Sequence, residues 1–149
     1  MPVNRLRQQW IWHAWKCLLA VVCLNMQGCI FDASACENEV LSHHPSPTGQ
    51  YTASIFQRNC GATTPFSTQV SVLAGDEQLA NLPGNAFIAD SVHGAAPSSA
   101  GGSPEVTVQW LSATSLLIQH HPEARVFHSP ETVGNVQLSF QPLETTSQP

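Results

Sequence analysis

The sequence predicts an all-β protein, a small antiparallel meander forming a curled sheet or sandwich behind an N-terminal signal helix. Two observations lead there. Short runs alternate apolar and polar residues with a period of two, which is the side-chain repeat of a strand. Each run is bounded by residues that favour turns, and no stretch after the N-terminus carries helical periodicity. One flat sheet would leave Trp110 and Phe140 exposed, so the strands are expected to fold over a shared core.

A short first strand is expected through Val40 and Leu41, within Glu39 to His44. Ser46-Pro47-Thr48-Gly49 is a turn that launches the next, since Pro presets its own φ and Gly tolerates φ values that other residues avoid. The stretch Gly49 to Ala74 reads as a hairpin. Tyr51, Ala53 and Ile55 share one face of its first strand, and Val70, Val72 and Ala74 share one face of its second. Asn59, Gly61 and Pro65 supply the turn between them.

Residues 75–83 read as a polar connection and Asn85 to Val92 as a further strand, with Phe87 and Ala89 on one face. His93 to Pro104 is dominated by small residues, Gly and Pro. It is expected to be a surface loop with little apolar area to bury, or a lid or partner-binding loop. Glu105 to Leu111 alternates most cleanly, with Val106, Val108 and Trp110 aligned. The turn at 112–114 returns the chain as Ser115 to His121, with Leu116 and Ile118 in the core, and so short a link favours antiparallel neighbours. Arg125 to Phe127 suits a short edge strand. Asn135 to Phe140 aligns Val136, Leu138 and Phe140, after which the chain is expected to fray.

The N-terminus has a different composition. Arg5, Arg7 and Lys16 precede the apolar run Cys17 to Leu24, which is followed by Asn25-Met26-Gln27-Gly28-Cys29. A basic flank, an apolar core and a small residue at a cleavage point mark an export signal. The apolar run is far below the ~20 residues that span a bilayer as a helix. A cleaved signal is expected, with a retained anchor as the rival reading.

Met26-Gln27-Gly28-Cys29 resembles the lipobox of bacterial lipoproteins, with Met26 in the place usual for Leu. The resemblance implies cleavage after residue 28 and acylation of Cys29, by palmitate or a similar chain, so that the bilayer becomes a partner. Ile30, which stands where Asp would signal inner-membrane retention, implies an outer-membrane destination on the periplasmic side. The resulting organisation is a signal at 1–28, a lipidated tether at 29–35, one antiparallel β domain at 36–142 and a tail at 143–149.

On that account Cys17 and Cys23 leave with the signal and Cys29 is consumed by lipid, leaving Cys36 and Cys60. Two remaining cysteines in an oxidising compartment are expected to form a disulfide. All ten acidic residues follow Cys29 but only Arg58 and Arg125 of the five basic ones do, a formal charge of −8 for that part. Such a surface repels phosphate backbones, so nucleic acid is not an expected partner. Neither a glycine-rich phosphate loop nor an HExxH or CxxC pattern is present, and no cofactor is implied.

A second resemblance covers most of the remaining chain. Cys36-Glu37-Asn38-Glu39, Ser46 to Tyr51, Arg58 to Thr64, Phe66 to Ser71, Asn85, Ile88-Ala89-Asp90, His93-Gly94 and the Val106-Val108-Trp110 strand are similar to a family of short bacterial envelope lipoproteins of unassigned activity. Ser46 to Tyr51 also resembles the SPDGK start of a propeller-blade strand, without the repeat of about 40 residues that a propeller needs.

Several residue types invite chemistry. Cys60 is a candidate nucleophile with His93 as base and Asp90 or Asp76 as orienter, against its role as a disulfide partner. His43 or His44, with His120 or His121 and His93, would make a weak metal site if their strands were neighbours; otherwise they are surface histidines. Arg58, Thr63, Thr64, Asp90 and His93 form the candidate polar cluster, in which Arg58 pairs with Glu37 or Asp90 or receives an anionic ligand. The expected role is binding or scaffolding in the envelope, with an envelope protein as possible partner. The alternative is a small cysteine- or histidine-dependent enzyme, or a weak metal-binding protein.

Overall fold

The computed structural model describes residues 36–99 and 102–144. The signal, Cys29 and the tether lie outside the described residues, as does the end of the tail.

Among the described residues nine strands form two sheets: β1 (Glu37–Pro45), β2 (Tyr51–Asn59), β3 (Ser67–Ala74), β4 (Phe87–Asp90), β5 (Val106–Ser112), β6 (Ser115–His120), β7 (Arg125–His128), β8 (Thr132–Val133) and β9 (Val136–Pro142). The first sheet has the order β1-β2-β3-β4-β7 and the second β5-β6-β9-β8. A single 3-10 turn, Val92–Gly94, follows β4.

The first sheet is antiparallel throughout. Tyr51 pairs with Ala74 and Arg58 with Ser67, so β2 and β3 are the expected hairpin. The first strand is longer than expected, and Leu41 is an extra residue where the register shifts between Val40 and Ser42. A bulge twists an edge strand and discourages further pairing, which suits β1 as the rim of the sheet.

In the second sheet β5 and β6 form the expected antiparallel hairpin. The expectation of an antiparallel meander fails at β9, which runs parallel to β6 from Ser115↔Gln137 to His120↔Pro142. Parallel neighbours need a long crossover rather than a tight turn. Residues 121–135 supply it: the chain leaves β6, joins the first sheet as β7 beside β4, and returns through β8 into β9. Alternation fixes which side chains face the core but says nothing about strand direction, so the sequence pattern is identical either way.

One apolar cluster takes residues from both sheets: Ala53, Ile55, Val70, Val72, Phe87 and Ala89 from the first, Val106, Leu116, Ile118, Val136 and Leu138 from the second. Phe87 stacks on Phe140 at 5.8 Å and on His120 at 5.2 Å, and Tyr51 stacks on Trp110 at 6.5 Å. Trp110 Nε1 donates to the His44 carbonyl at 2.8 Å, so this half-buried ring packs against the core and still satisfies its one donor.

The opposite face of the first sheet is covered too, which alternation did not foretell. Ala53 through Gln57 are buried consecutively, and Phe56 is fully buried though it lies on the face away from the shared core. Residues 75–86 account for this: they combine the polar connection expected at 75–83 with the start of the strand expected from Asn85, which begins only at Phe87. Gly84 N–H donates to Gln69 Oε1 at 2.7 Å, and Asn85 N–H to Ser71 Oγ at 3.4 Å; Gln69 and Ser71 share the face of Phe56. Gly84 is required there, because a Cβ would meet the Val70 and Phe87 carbonyl oxygens at 2.8 and 2.9 Å.

The loop after β4 is also better anchored than its composition suggested. Thr68 Oγ1 donates to the Pro104 carbonyl and shares a 2.8 Å hydrogen bond with Ser103 Oγ, and Thr68, Ser103 and Pro104 are all fully buried.

Candidate functional site

Cys36 and Cys60 are joined by a disulfide across 24 positions of sequence. The two residues lie just outside the terminal pair of the β1–β2 ladder, Glu37↔Asn59, so the bridge closes the open end of that hairpin. A Cys60 thiolate is therefore not on offer, and nucleophilic catalysis through it requires one.

The members of the candidate polar cluster take separate hydrogen-bond partners. Arg58 and Asp90 do lie in one row, since Asn38, Arg58, Ser67, Asp90 and Arg125 face one another strand by strand across all five strands. Ser67 stands between them, and each charge has its own partner. Arg58 Nη1 donates to Asn38 Oδ1 at 2.6 Å and to Asn81 Oδ1 at 3.2 Å, rather than to Glu37 or Asp90. Thr64 Oγ1 turns back to the Cys60 carbonyl at 3.5 Å, Thr63 is exposed in the same turn, and His93 is exposed in the 3-10 turn.

Asp90 belongs to Arg125, a partner the sequence reading missed. Arg125 Nε donates to Oδ1 at 3.1 Å and Nη2 to Oδ2 at 2.5 Å, a two-pronged pair with Asp90 buried and Arg125 partly exposed. Asp90 Oδ1 also accepts the Val92 N–H at 2.9 Å. Burial, the largest single influence, pushes the Asp90 pKa up. The Arg125 hydrogen bonds, the Val92 N–H and the charges of Arg125 and His93 together outweigh it, leaving the carboxyl below its ordinary range. Asp90 in turn pushes the Arg125 pKa up. The carboxylate thus fixes β7 to β4 and pins a turn in which Val92 (φ 49°) and His93 (φ 57°) adopt left-handed backbone. A carboxylate so committed holds structure.

The expected histidine site is not formed. His43 and His44 are on β1 of the first sheet, and His120 is on β6 of the second. His43 Nδ1 shares a 2.9 Å bond with Ser54 Oγ, His44 Nε2 one with Ser42 Oγ, and His120 Nδ1 donates to the His121 carbonyl. Among the described residues no three His, Cys, Asp or Glu side chains come together as a metal-ligand set. None of the described helices is long and apolar enough to cross a membrane.

A cleft of about 360 Å³ lies beside the disulfide, lined by Glu37, Asn38, Glu39, Gln57, Asn59 and Phe66. It sits near the lower limit of ligand-pocket volumes, which suits a small molecule or a head group. Glu37 and Glu39 project to one face of β1, directly opposite Asn59 and Gln57 on β2. Asn38 is spent on structure: its Oδ1 accepts from Arg58 while its Nδ2 donates to the Ala80 and Leu82 carbonyls at 3.1 and 2.9 Å. Asn81 Nδ2 completes that clamp on the Cys36 carbonyl at 2.8 Å. Asn59 Oδ1 accepts the Gly61 N–H at 2.9 Å, fixing the turn that leads to Phe66. Phe66, on the wall of the cleft, is 40% exposed. The sequence reading did not assemble these six residues. The signal was nevertheless available, because a bridge between Cys36 and Cys60 in an antiparallel pair sets Glu37 against Asn59 and Glu39 against Gln57.

The described residues thus define an all-β protein of two sheets, closed at one end by a disulfide that borders an acidic cleft. No family model, curated protein or solved structure matches this chain.

Proposed function

We propose that this protein is a lipoprotein of the bacterial cell envelope, held on the periplasmic side of the membrane by an acylated Cys29, and that it works by binding. Its two sheets serve as a small sandwich that presents the cleft. The outer membrane is the expected location, from Ile30 after the acylated residue, and the resemblance to short envelope lipoproteins agrees with it.

The observation that carries the reading is the Cys36–Cys60 bridge. Disulfides persist in oxidising compartments such as the periplasm, which supports export. The same bridge occupies the most plausible nucleophile in the chain, which favours binding over a cysteine-dependent reaction. A cleft of carboxylates, amides and one exposed ring is suited to recognition by hydrogen bonds and an apolar contact.

Expression of the full chain in a bacterial host with a labelled fatty acid tests the reading. The label should enter the wild-type protein and be absent from Cys29→Ser, and the intact mass should lack residues 1–28. An unlabelled product that retains those residues overturns the anchor.

A further inference from the structure

We propose that the cleft beside the disulfide binds a primary ammonium group carried by a molecule at the membrane surface, with Glu37 and Glu39 as counter-charges and Phe66 as the aromatic wall. The inference rests on the anchored reading above and deepens it by naming the ligand class.

Charge comes first. Among the described residues the cleft has two carboxylates and no cation, and neither Glu37 nor Glu39 has an ion pair. The nearest arginine in sequence, Arg58, is turned away into its bonds with Asn38 and Asn81, and Arg125 is committed to Asp90. The two carboxylates repel an anion and accept hydrogen bonds from a cationic donor, which an ammonium supplies with three N–H groups, and the Gln57 and Asn59 amides of the same cleft can take either role. Phe66 adds the second element, since an exposed aromatic face attracts a cation within about 6 Å of the ring centroid. Carboxylates prefer a primary ammonium over a quaternary one, because only the former can donate to them.

Position supplies the rest. Cys36 begins the described domain and borders the cleft-lining residues Glu37, Asn38 and Glu39. Cys29 stands seven peptide steps earlier, and seven steps span at most about 25 Å whatever their conformation. An acylated Cys29 therefore keeps the cleft within reach of the lipid head groups, while leaving the far end of the sheets free.

The test uses the full chain as the host processes it, in nanodiscs where it is acylated and in solution where it is not, followed by the backbone amide signals of Glu37, Glu39, Gln57 and Asn59. In discs whose lipids lack amines, glycerophosphoethanolamine and free ethanolamine should shift these signals, and glycerol phosphate should not. Glycerophosphocholine should bind more weakly. The double variant Glu37→Gln, Glu39→Gln should lose affinity by about tenfold or more with the remaining spectrum unchanged, and Phe66→Leu should weaken binding while keeping an apolar side chain. In discs made with an ethanolamine phospholipid the signals should already be shifted before any amine is added. Absence of amine-dependent shifts, or equal shifts with glycerol phosphate, overturns the ligand class. Binding of free amines but not of the ethanolamine phospholipid overturns the membrane source. Failure of fatty-acid labelling with amine binding intact would sink the anchor alone, so the two readings fail separately.

Discussion

Asn85 offers a stringent test of how the first sheet is held. The β3–β4 ladder ends at Val70↔Phe87, and continuing its register two residues would set Val72 against Asn85. That rung exists, but a side chain makes it: Val72 N–H donates to Asn85 Oδ1 at 2.8 Å and Asn85 Nδ2 donates to the Val72 carbonyl at 3.0 Å. The amide copies a peptide group and lets the main chain turn away to cover the outer face. Asn85→Ala removes both bonds while Val72 remains buried. A neutral hydrogen bond contributes about 1 kcal/mol net, so two contribute about 2, and because Asn85 is exposed enough for water to compensate in part the expected loss is about 1–2 kcal/mol. Asn85→Asp should lose at least as much at neutral pH, because a carboxylate still accepts from Val72 N–H but opposes the Val72 carbonyl. Urea unfolding under non-reducing conditions, with hydrogen exchange at the Val72 amide, measures both effects. An Asn85→Ala variant within about 0.3 kcal/mol of wild type, with Val72 still protected, would refute the side-chain rung.

Three further outcomes are expected. Cys36→Ser with Cys60→Ser frees a loop spanning 24 positions, for which the chain-entropy relation gives a loss of about 3.5 kcal/mol, read as a lower urea midpoint. Asp90 has a folded-state pKa below its unfolded value, so its stabilisation is complete above the unfolded pKa of about 4 and is lost as pH falls through the folded one. Asp90→Asn should therefore show a shallower fall in urea midpoint over acid pH than wild type, and identical slopes would contradict the Arg125 pairing. Gly84→Ala drives a methyl against two backbone carbonyls and should cost about 1–3 kcal/mol, whereas Gly75→Ala, which meets no neighbour but retains a positive φ, should cost less; the same urea titration ranks them.

By itself the sequence determined the fold class, most strand positions and the inward faces. Tyr51, Val70, Phe87, Leu116, Ile118, Val136 and Phe140 fall where alternation puts them, because apolar side chains on a pleated strand can be buried only on the side where they recur. Other features depended on which strands meet in space. The parallel seating of β9 against β6 leaves the alternation of both unchanged, and the pairing of Asp90 with Arg125 arises only when β7 crosses to the first sheet. Asp90 was legible as a polar residue at a strand end, but its role was not, since a charge's partner is set by distance and not by order along the chain. The cover over Phe56 and the cleft of Glu37, Glu39 and Phe66 have the same origin. Local pattern states what a residue must hide or show, and tertiary packing alone decides what stands opposite it.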